Sequence, residues 1–187
     1  MNRDQLHIDR LTAEHDVSTF DSGVAELDDW IRRYAIAAQA MDSARTFVAV
    51  RQRTVIGYFS LTMGSVRKKD VPQKLVRGLP GYPVGMVLLA RLAVDKKAQG
   101  EGIGALLLSE ALRRAVTAGE AAAARLVVVD AIDDNTEAFY RHFGFLPAPE
   151  HPHRLFRRMK DIRASLDEAG SAPSTPSTSS SRPNTLG

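Results

Sequence analysis

The chain of 187 residues contains no cysteine. Disulfides, thiolate metal sites and cysteine nucleophiles are therefore excluded. It also lacks any apolar run near the roughly 18 residues that a membrane helix needs, and its first residues, MNRDQLHIDR, carry no signal-peptide stretch. A soluble cytoplasmic protein with no membrane partner is expected. Internal repeats are absent, and at this length one sizeable core, hence one domain, is the default. Apolar residues almost vanish from Ala169 to Gly187, AGSAPSTPSTSSSRPNTLG. A folded domain over residues 3–165 and a disordered tail over 169–187 are predicted.

Charge is present but unevenly spread. The net charge of +3 hides eleven basic residues against Asp70 and Asp95 between Arg45 and Gly100, a local balance of +9 that leaves −6 for the rest. Such a field steers a polyanion toward one region, although a solvated basic face would look the same in sequence.

Leu6, Ile8 and Leu11 mark a first strand. Phe20-Asp21-Ser22 leads into a helix from Val24 to Met41, with Ser22 as its N-cap. Val24, Leu27, Ile31, Tyr34, Ala38 and Met41 recur at steps of three and four and are expected to face the core, leaving Asp28, Arg32 and Arg33 outside. Thr46 to Val50 and Val55 to Met63 form a hairpin around Arg51-Gln52-Arg53. A long connection, Gly64 to Gly85, contains a short helix near Gln73 to Arg77. A buried strand over Leu88 to Val94 and a helix over Ala105 to Ala118 follow, then a strand from Arg125 to Ala131. A helix from Asn135 to Phe143 stops at Gly144, and a strand spans Leu155 to Met159.

The most specific stretch is LLARLAVDKKAQGEGIGALLL, Leu88 to Leu108. Here a strand runs through a charged turn into a glycine-rich helix start. Gln99, Gly100, Glu101, Gly102, Ile103 and Gly104 fit Q/R-x-x-G-x-G/A, and with Ala105 they form a cradle whose backbone N–H groups and helix dipole suit a pyrophosphate. A tight glycine turn that merely packs helix on strand is the plainer alternative. A dinucleotide fingerprint fits poorly, because the glycines stand past the middle of the chain and Asp130 lies too far along to serve as its ribose-binding acid.

This loop resembles the acetyl-CoA loop of the GNAT N-acetyltransferase superfamily, and the segment NTEAFYRHFGF, Asn135 to Phe145, resembles that family's N-x-x-A-x-x-F/L-Y-x-x-x-G-F helix. The resemblance implies an α/β (α+β) fold with a mixed, mostly antiparallel sheet flanked by helices and splayed after Val94. It also implies pantetheine pairing along Leu92, Ala93 and Val94, an amide contact from Asn135, and protonation of the departing thiol by Tyr140. From spacing alone, an amphipathic core aromatic with its hydroxyl at the surface is the plainer alternative for Tyr140.

Five segments in order, FDSGVAELDDWI, RTFVAV, VIGYFSL, VLLARLAVDKKAQGEGIG and AFYRHFGF, resemble the GNAT toxins of bacterial toxin–antitoxin pairs. Those toxins acetylate the α-amino group of aminoacyl-tRNA and stop translation. The resemblance implies acetyl-CoA as co-substrate, aminoacyl-tRNA as acceptor, a ribbon-helix-helix antitoxin and a homodimer. With the basic window it points to Arg67, Lys68, Lys69, Arg77 and Arg91, and to Arg32 and Arg33 on the first helix, for gripping tRNA.

Chemistry agrees with an α-amine acceptor. An α-amine titrates near 7.7 to 8 and is partly neutral at cellular pH, whereas a lysine near 10.4 needs help to lose its proton. The central strand offers no carboxylate or histidine before Asp95. Acetylation of protein N-termini or small amines, and a non-catalytic acyl-CoA-binding module, remain alternatives. His151 and His153 form H-P-H without a third ligand of matching spacing, so no metal is expected. Trp30 reads as a core or interface anchor.

Overall fold

Two long strands with almost wholly buried middles set the architecture, because such strands need a layer on each face. These are Arg45–Arg51 (β2) and Thr54–Val66 (β3), joined by Gln52 and Arg53 at φ of 51° and 67°. Two consecutive left-handed residues make the turn whose twist matches that of the strands it connects. A computed structural model describes residues 5–171.

Around this hairpin lie His7–Arg10 (β1), Val84–Val94 (β4), Leu126–Asp130 (β5), Leu146–Pro147 (β6) and Arg154–Arg158 (β7). The sheet order is β1-β2-β3-β4-β5-β7-β6, and every neighbouring pair is antiparallel except β4 with β5. The parallel pair requires a crossover, which the helix Ile103–Ala122 (α4) supplies. Its buried stripe of Ile103, Leu107, Leu108, Ala111, Leu112 and Ala115 lies on Phe59, Val87, Leu89, Val127 and Val129. Each such leucine or phenylalanine removed from water contributes about 1.5–3 kcal/mol. The opposite face is covered by the first helical segment and the chain leading into it, which bury Ile31, Ala35 and Phe20 against Val48, Tyr58 and Ala93. On the same side Gln73–Val76 (α3, numbered after the two parts of the first helix) packs Leu75 and Val76 with Val128 and Phe156. Asp134–His142 (α5) and Met159–Ser171 (α6) complete the layers. None of the helices among the described residues is long and apolar enough to cross a membrane.

The first helix departs from its sequence reading. It consists of Ala25–Asp29 (α1), a π-helical turn at Trp30–Tyr34, and Ala35–Ala40 (α2). The Ala35 N–H reaches back five residues to the Trp30 carbonyl, and that extra residue rotates everything beyond it. Ala38 faces the core as expected and Ala35 joins it, while Tyr34 and Met41, expected inside, are 56% and 72% exposed. Ser22 does not cap the helix, whose N-cap is Val24. It donates instead to Asp28 at 2.7 Å, and Asp28, expected outside, is buried to receive it.

Other boundaries shift as well. β3 runs on to Val66 and β4 begins at Val84, so the long connection is shorter than read. Its short helix is present as α3. The final helix α6 has no counterpart in the sequence reading; it buries Met159 and Ile162 and carries the chain through Ala169 to Ser171, where the tail was expected to have begun. The remainder of the predicted tail lies outside the described residues.

Gly57 on β3 fixes how closely α4 approaches the sheet. A Cβ there would stand 2.8 Å from Leu107 Cδ1 and 3.1 Å from the Ala93 carbonyl oxygen. The Gly57→Ala variant should lose about 1–3 kcal/mol through this crowding, read as a lowered Tm in thermal unfolding. An unchanged Tm would show that α4 yields freely.

Candidate active site

Beyond Val94 the chain must leave the sheet and present a helix start. Asp95 organises this exit. Its buried carboxylate accepts from the Lys97 N–H at 2.9 Å and the Asp21 N–H at 3.1 Å, and its own N–H donates to the Ile56 carbonyl at 2.9 Å. Lys96 N–H donates to the Asp21 carbonyl at 2.8 Å, and Gln99 Nε2 donates to the carbonyls of Val94 at 2.9 Å and Ser22 at 3.1 Å. The Asp21–Ser22 segment thus straps the loop to the strand. The sequence reading missed this role of Asp95 and Asp21, although an aspartate at a strand end ahead of a turn is a recognisable capping signal.

Gly100 and Gly102 both adopt φ of +81°, with open space where a Cβ would be. Conformation, not crowding, is what demands glycine at these two positions. The first bond closing α4 runs from the Leu106 N–H to the Gly102 carbonyl, so the amides of Ile103, Gly104 and Ala105 point out ahead of the helix. Their orientation and the helix dipole make an anion cradle. Glu101 sits in it, but Arg51 Nη1 lies 2.6 Å from its carboxylate and, by that hydrogen bond, holds it below the usual carboxylate range. Arg51 thus offsets the charge of Glu101. Fifty positions separate the two residues, so no local pattern could have paired them.

β4 pairs with β5 only from Met86 with Leu126 to Leu89 with Val129. On the β3 side, Ser60 faces Arg91 and Leu61 faces Leu89, which leaves Ala90 as a bulge. From the bulge to Val94 the strand has a neighbour on one edge alone. The sheet therefore opens after Leu89, not after Val94, because β5 ends its pairing at Val129. Leu92, Ala93 and Val94 all lie along the opened edge.

The other wall of the cleft is α5. Asp133 caps it by accepting the Thr136 N–H at 2.8 Å. Phe139 stands 3.8 Å from the place a Gly104 Cβ would fill and Val94 stands 3.9 Å from it, so the strand end, the loop and α5 meet at one point. Asn135, exposed in the first turn, shares the face of Phe139 at four residues' spacing. Tyr140 is buried at 5% exposure, edge-on to Phe139 and Phe145 at 5.3 and 5.6 Å. Burial raises its pKa well above the ordinary tyrosine value, so the phenol stays protonated. No hydrogen bond is made to its hydroxyl among the described residues.

The basic residues divide. Arg32 pairs with Asp28 and donates to the Phe20 carbonyl, Arg33 pairs with Asp29, and Arg67 pairs with Asp70. Lys68 donates to the Leu79 carbonyl and, with Arg67, Lys69 and Gln73, lines a concavity of about 630 Å³. Lys69, Arg77 and Arg91 have no ion pair or hydrogen bond among the described residues. His153 is drawn to Asp134 at 2.9 Å and Glu137 at 3.7 Å, not to His151, and the Asp134 hydrogen bond raises its pKa. Arg141 also pairs with Glu137, so this exposed group is a charge-compensated network. Asp130, the one acid weighed for a dinucleotide ribose, is held by Arg154 through two bonds of 2.7 and 2.9 Å.

Comparison with known proteins accords with this geometry. Residues 42–147 match the acetyltransferase (GNAT) domain. A tRNA-acetylating toxin of Mycobacterium tuberculosis is 40% identical over 159 residues, covering 85% of this chain and 95% of that protein. AtaT complexed with acetyl-methionyl-tRNAfMet superposes with a TM-score of 0.80 at 27% identity, covering 87% of this chain and 99% of that one. A tyrosine-to-phenylalanine mutant of AtaT, bound to the C-terminus of the antitoxin AtaR and acetyl-CoA, gives 0.74 at 26% identity, covering 86% and 98%. The cradle, the opened strand and these likenesses together place the chain in the GNAT acetyltransferase family, among its tRNA-acetylating toxins.

Proposed function

We propose that this chain moves the acetyl group of acetyl-CoA to the α-amino group of aminoacyl-tRNA and so blocks translation in the cytoplasm. The observation that carries the reading is the meeting of Val94, Gly104 and Phe139, which brings the anion cradle, the opened strand edge and α5, the helix that carries Tyr140, to one point. The amides of Gln99 to Ala105 take the pyrophosphate. The free edge of Leu92 to Val94 pairs with pantetheine, and Asn135 adds a side-chain amide contact.

The amine nitrogen attacks the thioester carbonyl, the C–S bond breaks, and Tyr140 gives its proton to the departing sulfur. Solvent takes the amine's proton and reprotonates the tyrosine. Asp95 is not a base for this step, since two backbone amides hold its carboxylate. An acceptor already partly neutral near pH 8 needs none. Lys69, Arg77 and Arg91 are the cations best placed to meet tRNA phosphates, supported by Arg32, Arg33, Arg67 and Lys68, whose charges are shared with local partners. A ribbon-helix-helix antitoxin and a homodimer complete the proposal; AtaT, a structural neighbour, is bound by AtaR.

Gly102→Val places a β-branched residue at φ +81°, so it should weaken acetyl-CoA binding at least tenfold in calorimetry, with parent affinity counting against the cradle. Tyr140→Phe should keep that affinity while acetyl transfer to charged tRNA falls by about 10² to 10⁴. A parent rate would make Tyr140 a packing residue. In the parent enzyme the rate should climb with pH through the α-amine range near 7.7–8 and show no decline at the ordinary tyrosine pKa near 10, because burial raises that of Tyr140. Exchanging Lys69 and Arg77 together for alanine should reduce the salt slope of tRNA binding by about two units. An unchanged slope removes them from the interface, and transfer to peptide N-termini but never to charged tRNA would replace the tRNA reading.

A further inference from the structure

The π-helical turn Trp30–Tyr34 is held in place by a buried polar chain. Trp30 Nε1 donates to Ser60 Oγ at 3.3 Å, Ser60 Oγ lies 2.8 Å from Thr46 Oγ1, and both hydroxyl residues are fully buried. This fixes the indole under Arg91, whose guanidinium carbon stands 3.6 Å from the ring centroid. Tyr34, exposed at the end of the π-turn, stacks beside Trp30 at 6.3 Å and 27°. The turn therefore presents two aromatic rings and a guanidinium as one surface.

Arg91 is unlike most arginines here. Arg51, Arg67, Arg154 and Arg158 each bond a carboxylate within 2.9 Å, whereas Arg91 has no ion pair or hydrogen bond among the described residues. A guanidinium stacked on an indole keeps its in-plane N–H groups for an oxyanion, which it binds with two parallel bonds. Arg91 also follows the Ala90 bulge directly, so it stands where β4 leaves β5 and the cleft opens. By strand alternation it projects to the face opposite Leu92 and Val94, away from α4.

We infer that Trp30, Tyr34 and Arg91 form a subsite for the 3′-terminal nucleotide of the acceptor RNA, its phosphate on Arg91 and its base stacked on Tyr34. The inference rests on the reading of charged tRNA as acceptor. Unstacked RNA ends are recognised by stacking on aromatic side chains together with cationic contacts to phosphate, and this surface offers both beside the cleft. A peptide N-terminus has neither base nor phosphate. The subsite thereby discriminates between the two α-amine acceptors.

Trp30 is the only tryptophan of the chain, so its fluorescence reports on this subsite directly. Titration of the full chain with the ribotrinucleotide CCA should change Trp30 emission saturably. Tyr34→Leu and Arg91→Gln should each weaken that binding about tenfold or more, with acetyl-CoA affinity unchanged in calorimetry as proof of an intact fold. On charged tRNA the same variants should raise KM more than they lower kcat. No emission change with CCA, or parent CCA affinity in both variants, overturns the subsite. Acetylation of charged tRNA with parent KM in both variants would also overturn it while leaving the proposed function standing. A saturable CCA signal lost in the variants, from a protein that does not acetylate charged tRNA, would keep the subsite and defeat that function.

Discussion

The site depends on an imbalance in the hydrogen bonding of β4. One edge of the strand is paired with β3 along its whole length, while the other meets β5 over only four residue pairs. Backbone N–H and C=O groups need partners, so an unpaired edge inside a fold is a place for water or a ligand. Two features keep β5 from closing it. The Ala90 bulge bends β4 where the pairing stops, and β7 holds β5 along all five of its residues, so that strand cannot swing back. The crossover helix α4 then starts beside the opened edge, and its free amides add a second set of unmet donors to the same cleft.

Three carboxylates near this cleft are each held by partners. Asp95 accepts two backbone amides, Glu101 is bonded by Arg51, and Asp130 is bonded by Arg154. Their service is geometric, fixing the strap, the loop and the strand end. This disposition suits a cofactor rich in phosphate, which acids would repel, and an amine acceptor that reaches the enzyme partly neutral. Tyr140 is buried and stays protonated, and burial alone accounts for its state.

The first helix shows how packing decides between two allowed spacings. Steps of three and four from the buried Ile31 reach Tyr34 and Ala35, and it is Ala35 that is buried while Tyr34 is exposed. The Ser60–Thr46 pair, reached across the sheet, holds the indole at the start of the π-turn. Asp28 is drawn inward for a related reason, since Ser22 and Arg32 supply the partners that a buried carboxylate requires.

Strands, helices and the glycine cradle were legible in sequence because their signals are local: alternation, spacing, and glycines whose positive φ no other residue takes readily. Tyr140 and Asn135 could be placed on one helix for the same reason. Distance along the chain hid the rest. The partnership of Arg51 with Glu101, the strap of Asp21 on Asp95, and the indole of Trp30 under Arg91 each join residues between 50 and 74 positions apart, and no periodicity carries such information. The helix α6 escaped notice because its apolar residues are few and gain meaning only against α4. Local stereochemistry thus settled most of the elements that form. Packing, which alone decides where β4 parts from β5 and which charges find partners, settled what they make together.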